Sequence, residues 1–88
     1  MEQNYPNPFN PSTTIEYEVS ETGPVSIVVF DLKGRELRSV LNDVKTPGLH
    51  KVVWDGRDSA GERVASGIYF YRMRANGESL TRQLALIK

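Results

Sequence analysis

The sequence predicts an all-β domain, an antiparallel sandwich or small barrel, and three observations predict it. Short runs of strand-forming residues, six or seven of them, are separated by turn signals at the roughly 8–12-residue spacing of such folds. No stretch carries helical periodicity for longer than about two turns. Near the end of the chain, two alternating runs flank Asn76-Gly77, the strongest short hairpin signal a sequence can carry.

The chain opens on Asn4-Tyr5-Pro6-Asn7-Pro8-Phe9-Asn10-Pro11. The prolines hold φ and remove backbone donors, so this stretch is extended or turning and not helical. Tyr5 and Phe9 are too apolar for a free tether, so residues 1–12 are expected as a proline-rich leader packed on the edge of a domain spanning 13–88. Thr13 to Val19 alternates, with Ile15, Tyr17 and Val19 facing one way and Thr14, Glu16 and Glu18 the other, as in a half-buried strand. After the Glu21-Thr22-Gly23-Pro24 turn, Val25 to Phe30 is apolar at nearly every position, which suits a central strand.

Asp31-Leu32-Lys33-Gly34 closes a hairpin. Arg35 to Leu41 is ambiguous: Leu37, Val40 and Leu41 fit helical spacing or a bulged strand, and the short distance between turn signals favours strand. Thr46-Pro47-Gly48 turns the chain into the strand Leu49 to Trp54, with His50, Val52 and Trp54 on one face. Residues 55–67 form a polar, glycine-rich loop. Ile68 to Ala75 places Tyr69, Tyr71 and Met73 on one face, and Ser79 to Ile87 completes the last hairpin. The expected core is Ile15, Tyr17, Val19, Val25, Ile27, Val29, Leu37, Val52, Trp54, Tyr69, Tyr71, Met73, Leu84 and Leu86.

Composition narrows the function more by exclusion than by assignment. With 88 residues the chain suits one domain. It has no cysteine, so disulfides and thiolate metal sites are excluded. Lys and Arg number 11, as do Asp and Glu. That neutrality argues against general binding to nucleic acid or anionic membranes. No run approaches the ~20 apolar residues of a membrane-spanning helix. The charge is unevenly placed: the first base is Lys33, after Glu2, Glu16, Glu18, Glu21 and Asp31. Late in the chain Arg63, Arg72, Arg74, Arg82 and Lys88 dominate. The expectation is that the first and last strands are neighbours whose outward charges pair.

Catalysis finds little support. His50 is the one histidine and sits at an alternating strand position with no evident nucleophile beside it. Asp55, Asp58 and Glu62 are weak metal candidates. They lack the spacing of a calcium loop, and Asp-Gly and Asp-Ser are ordinary turn starters. Tyr69-Phe70-Tyr71-Arg72-Met73-Arg74 could stack on single-stranded nucleic acid, but alternation turns its tyrosines inward. The chain is therefore expected to be no enzyme and to need no cofactor.

Motifs along most of the chain carry a resemblance. Y-P-N-P-F-N-P-S-T-T-I-E-Y at 5–17, V-S-I-V-V-F-D-L-K-G-R-E-L at 25–37, V-V-W-D-G-R-D-S-A-G at 52–61, V-A-S-G-I-Y-F-Y-R-M at 64–73 and T-R-Q-L-A-L-I-K at 81–88 resemble the C-terminal sorting domains of the type IX secretion system. The W-D-G-R-D…G…V-A-S-G-I-Y segment is also similar to the Ig-like domain of flagellar hook-capping (FlgD-like) proteins.

The resemblance implies an Ig-like sandwich of about seven strands that acts as a non-catalytic export signal for its parent protein. It would be read by outer-membrane translocon components and a sortase-like peptidase, in the periplasm and then at the cell surface. By position the partner-binding residues would be Gly67, Ile68, Tyr69 and Tyr71 with Leu84, Leu86, Ile87 and Lys88. Gln83 departs from the family, whose members often carry Lys there. The alternative is a structural or adhesive Ig-like module of the hook-capping type, and an open edge strand leaves room for a dimer.

Overall fold

A computed structural model describes residues 12–86. The leader segment, including Tyr5 and Phe9, and the terminal Ile87 and Lys88 lie outside the described residues. Six strands follow in order: β1 (Thr13–Val19), β2 (Gly23–Phe30), β3 (Glu36–Lys45), β4 (Gly48–Trp54), β5 (Gly67–Ala75) and β6 (Glu78–Leu86). They form two sheets, a four-stranded one in the order β3-β2-β5-β6 and a two-stranded one of β1 and β4. Every pairing is antiparallel. The fold is the expected Ig-like all-β sandwich, with six strands where about seven were expected.

The six strands are the six runs read along the sequence, and the figure of about seven came from the resemblance. β3 is longer than its expected Arg35 to Leu41, because Asn42, Asp43, Val44 and Lys45 pair with Ser26, Val25, Pro24 and Gly23. The stretch between β4 and β5 folds as turns, as its polar, glycine-rich composition suggested, with a single bridge between Arg57 and Arg63.

Alternation sets what lies inside. In β1, Ile15, Tyr17 and Val19 are buried while Glu16 and Glu18 stay in water. In β2, Val25, Ile27 and Val29 are almost wholly buried. Val28 and Phe30, on the opposite face, are only half-buried. β2 is central in its sheet, as its apolar run suggested, but its outer face is not capped by a second layer. There the Arg72 guanidinium lies 4.8 Å above the centre of the Phe30 ring, a cation–π contact that shields the ring from water.

β3 resolves the ambiguous spacing of Leu37, Val40 and Leu41. Its register against β2 slips twice, between Ile27 and Val28 and again between Val29 and Phe30. Val40 and Leu37 are the residues passed over, each an extra residue opposite the regular β2 ladder. Each bulge resets the alternation, so Leu37, Val40 and Leu41 are all half-buried against the core although they sit three and four residues apart. The helix-like spacing is thus the signature of a strand bulged twice.

The core has two parts. Ile15, Tyr17, Val19, Val25, Ile27 and Met73 form one, and Val29, Trp54, Tyr69 and Leu86 the other. Of the expected core, Leu37, Val52, Tyr71 and Leu84 are half-buried rather than buried; they pack on the rims of these clusters. The expected pairing of early acids with late bases does not form among the described residues, because β1 and β6 belong to different sheets. Glu16 instead reaches Lys51 on β4 at 4.0 Å.

Two outcomes are expected. Ile27→Ala should cost about 2–5 kcal/mol in chemical denaturation, and Ile68→Ala, on the uncapped face, under about 0.5 kcal/mol. Burial raises the phenols of Tyr17 and Tyr69 above their ordinary value of 10.0, with the charges of Asp43 and Asp31 adding respectively. The unfolded chain therefore ionises first, and the stability these groups contribute is full below pH 10 and lost as pH rises through their folded values. Melting temperature measured against pH should be insensitive to these phenols below about pH 10 and should fall above it.

Candidate interaction surface

The β4–β5 corner is built by its own sequence. Trp54 ends β4 and is buried; its indole Nε1–H donates to the Arg57 carbonyl at 2.9 Å. Its ring meets Tyr69 of β5 edge-on, with centroids 5.5 Å apart. The Tyr69 hydroxyl donates back to the Ala65 carbonyl, four residues upstream. One aromatic pair thus spans the two sheets while each ring's polar atom holds one end of the intervening loop. Gly56, buried with φ of 75°, makes a backbone turn that a larger residue would strain. Its carbonyl accepts from the Val64 amide at 2.9 Å.

The acidic residues of this loop are occupied locally. Asp58 Oδ1 accepts from the amides of Ala60 and Glu62, both at 3.0 Å. Asp55 Oδ1 accepts from the Arg57 amide at 3.1 Å and from Arg38 Nη1 at 3.2 Å. Asp55, Asp58 and Glu62 do not converge on a point, and among the described residues no three acidic or histidine side chains are placed to share a metal ion. His50 stacks on Tyr17 with centroids 5.4 Å apart, and its Nε2–H donates to the Thr46 carbonyl at 2.8 Å. Both groups work as structural supports.

The residues singled out at the last hairpin are brought together. Gly67 faces Leu86, Tyr69 faces Leu84, and Ile68 faces Ala85 across β5 and β6. Tyr69 and Leu86 are buried in the core, however, so they brace the sandwich from inside. Tyr71 and Leu84 are half-buried, and Ile68 lies exposed on the outer face. Ile87 and Lys88 lie outside the described residues.

The accessible part of this hairpin lies at its other end. Asn76 and Gly77 both have positive φ, 54° and 76°, as a two-residue type I′ turn demands. Asn76 Nδ2 donates to Ser20 Oγ at 2.9 Å and latches the hairpin tip to the β1–β2 loop. Beyond that latch the two-stranded sheet no longer covers β6. A groove of about 540 Å³ opens between β1 and the hairpin, with Tyr71, Met73 and Leu80 on its floor and Glu16, Glu18 and Arg82 among its rims. Leu80 and Arg82 are both exposed although they share the inward face of β6 with buried Leu86.

β6 also carries a free backbone edge, because among the described residues it pairs with β5 alone. In a two-residue hairpin the pair flanking the turn, here Ala75 and Glu78, exchanges backbone bonds, and alternate pairs follow. The pairs Met73–Leu80, Tyr71–Arg82 and Tyr69–Leu84 are therefore the bonded ones. The amides and carbonyls of Ser79, Thr81, Gln83 and Ala85 point away from β5, to the open side. The sequence did hold one signal of this edge: a charged Arg82 at an inward position between Leu80 and Leu84 marks where the cover stops.

With this geometry in view, the comparisons are specific. A family model described as the FlgD Ig-like domain matches residues 9–79. Among solved structures the chain is similar to FlgD from P. aeruginosa, at 20% identity and a TM-score of 0.63, over 86% of this chain and 60% of that one. It is likewise similar to FlgD from Xanthomonas campestris, described for hook capping essential for flagellar assembly, at 22% identity and a TM-score of 0.64, over 88% of this chain and 56% of that one. The chain spans somewhat over half the length of those proteins. At these identities the likeness to them is one of fold. No curated protein is similar enough to count as a match.

These findings overturn the expected export function. The matching family and these two solved structures are of the FlgD type, which was the alternative, and none of these is a type IX sorting domain. The segment that builds the β4–β5 corner, W-D-G-R-D…G…V-A-S-G-I-Y, resembled both families and so did not separate them.

Tyr69→Phe should cost about 1–2 kcal/mol in denaturant titration, because the Ala65 carbonyl loses its donor. Calcium at millimolar levels should leave the melting temperature unchanged, since a ligand of the native state would raise it.

Proposed function

Because the chain belongs to the FlgD Ig-like domain family, we propose that it is a non-catalytic assembly module, a rigid Ig-like block that a larger protein uses to build or hold a cap of the flagellar-hook type. The observation that carries this is the family match over residues 9–79, which runs through both sheets. The chemistry of the surface supports it. The histidine is held by a backbone carbonyl, and Asp55 and Asp58 are held by backbone amides. No nucleophile is set beside a base among the described residues, as covalent catalysis requires. What is displayed instead is a free strand edge and an apolar-floored groove, the features by which β domains recognise extended protein segments.

The test is deletion of residues 13–86 from the parent protein in its native host, with hooks and filaments scored by electron microscopy. Truncated or missing hooks, restored by the intact gene, are expected. Normal hooks in a strain where the truncated protein accumulates at wild-type level would sink the proposal.

A further inference from the structure

We propose that the free edge of β6 pairs antiparallel with the β6 edge of a second copy of this chain, about a twofold axis at Leu80. The inference rests on the geometry of the hairpin and stands whether or not the hook-capping reading does.

The edges of the structure are not equally open. β3, at the far side of the large sheet, carries two bulges, which twist a strand away from further pairing. β6 is regular from Glu78 to Leu86, with no slip against β5. It presents the backbone groups of Ser79, Thr81, Gln83 and Ala85 to solvent. An exposed, regular edge of this length is a template for another strand.

The side chains of β6 select the occupant and its register. Glu78 and Arg82 lie two residues either side of Leu80, on the same face, and Leu80 is 46% exposed. Neither charge has an ion-pair partner within its own chain among the described residues. Set about a twofold axis at Leu80, Glu78 faces the second copy's Arg82 and Arg82 faces the second copy's Glu78, while Leu80 packs on the second copy's Leu80. These are the non-bonded pairs of the new ladder, in which opposed side chains come closest. Ser79 and the second copy's Thr81 are the bonded pairs, and theirs are the backbone groups that point outward. Backbone parity thus admits this register, and charge favours it.

The competing register, centred on Arg82, would use more of the strand. It sets Arg82 directly against the second copy's Arg82, and directly opposed like charges destabilise a ladder. Arg82 is thus a guard against the longer pairing and a partner in the shorter one. One strand pair buries less than the roughly 1,200–2,000 Å² of a stable interface, so the isolated chain should associate weakly, and a covalent trap is the sensitive probe.

The chain has no native cysteine, so single cysteines report cleanly. Leu80→Cys, Arg82→Cys and Asn42→Cys, the last an exposed position on β3, are oxidised at about 0.1 mM and followed on non-reducing gels, after melting curves show each is folded. L80C should cross-link at least about tenfold faster than R82C and N42C, because residues on the axis face themselves across a non-bonded pair. Adding R82E to L80C should slow the trap about tenfold, and adding E78R as well should restore it.

Faster trapping of R82C, equal rates at all three positions, or a charge swap that fails to restore the trap would overturn the proposal. An L80C chain that stays monomeric would also do so and would leave the edge to a foreign strand. Amide exchange in the unaltered chain gives an answer free of variants. Raising the concentration towards about 1 mM should protect Ser79 and Thr81 and leave Ala85 unchanged. Protection that extends to Ala85, or none, refutes the register.

Discussion

The structure depends on a contact that no hydrogen-bonded ladder supplies. Among the described residues the two-stranded and four-stranded sheets share no strand pairing, so side-chain burial between them is the main force that holds the sandwich shut, helped by the Asn76–Ser20 and Arg38–Asp55 contacts. Trp54 and Tyr69 form the anchor of that layer, meeting edge-on across the gap with Leu86 and Val29 around them. Each ring carries one polar atom, and each atom is satisfied by a carbonyl in the connecting loop. The aromatic pair therefore stabilises the core and shapes the longest connection at once. Burying either ring without its partner carbonyl would leave a polar group dry, which costs as much as a good contact gains.

The covering sheet is narrower than the sheet it covers, and much of what is distinctive here follows from that mismatch. β1 and β4 shield the middle of the large sheet and the Trp54 end, where Ile27, Val29 and Leu86 are almost wholly buried. They leave the hairpin tip uncovered, where Leu80 and Arg82 sit in water on the nominally inward face. On the other side of the large sheet, β3 uses two bulges to turn Leu37 and Val40 back toward the core. One flank is thus closed by irregularity in its edge strand. The other stays open because its edge strand is regular.

Much of this was legible in the residues. The strands β1, β2, β4 and β5 and most of the core were readable, since period-two alternation and turn residues act over a few positions. Asn76-Gly77 named its own turn, because few other dipeptides tolerate positive φ at both places. Leu37, Val40 and Leu41 were ambiguous because a bulge mimics helical spacing, and only the β2 register separates the two. The choice of family went astray at the two ends of the chain: the proline-rich opening and the hydrophobic-hydrophobic-Lys ending at Leu86-Ile87-Lys88 suggested sorting, whereas the Trp54, Gly56 and Tyr69 segment was similar to the hook-capping domain as well. Tyr69 and Leu86, expected as partner-binding residues, are buried on the inside of their hairpin.

By itself, the sequence determined the all-β class, the turns, the face each strand buries and the absence of any thiol chemistry, because alternation, turn propensity and composition are local properties. Tertiary structure alone decided that β1 and β4 stand apart as a small sheet, that β6 ends the large one, and that Leu80 and Arg82 are therefore uncovered. Which edge stays open depends on how strands distant in the chain are ordered side by side, and that order is set by the packing of both layers together, which no local pattern encodes.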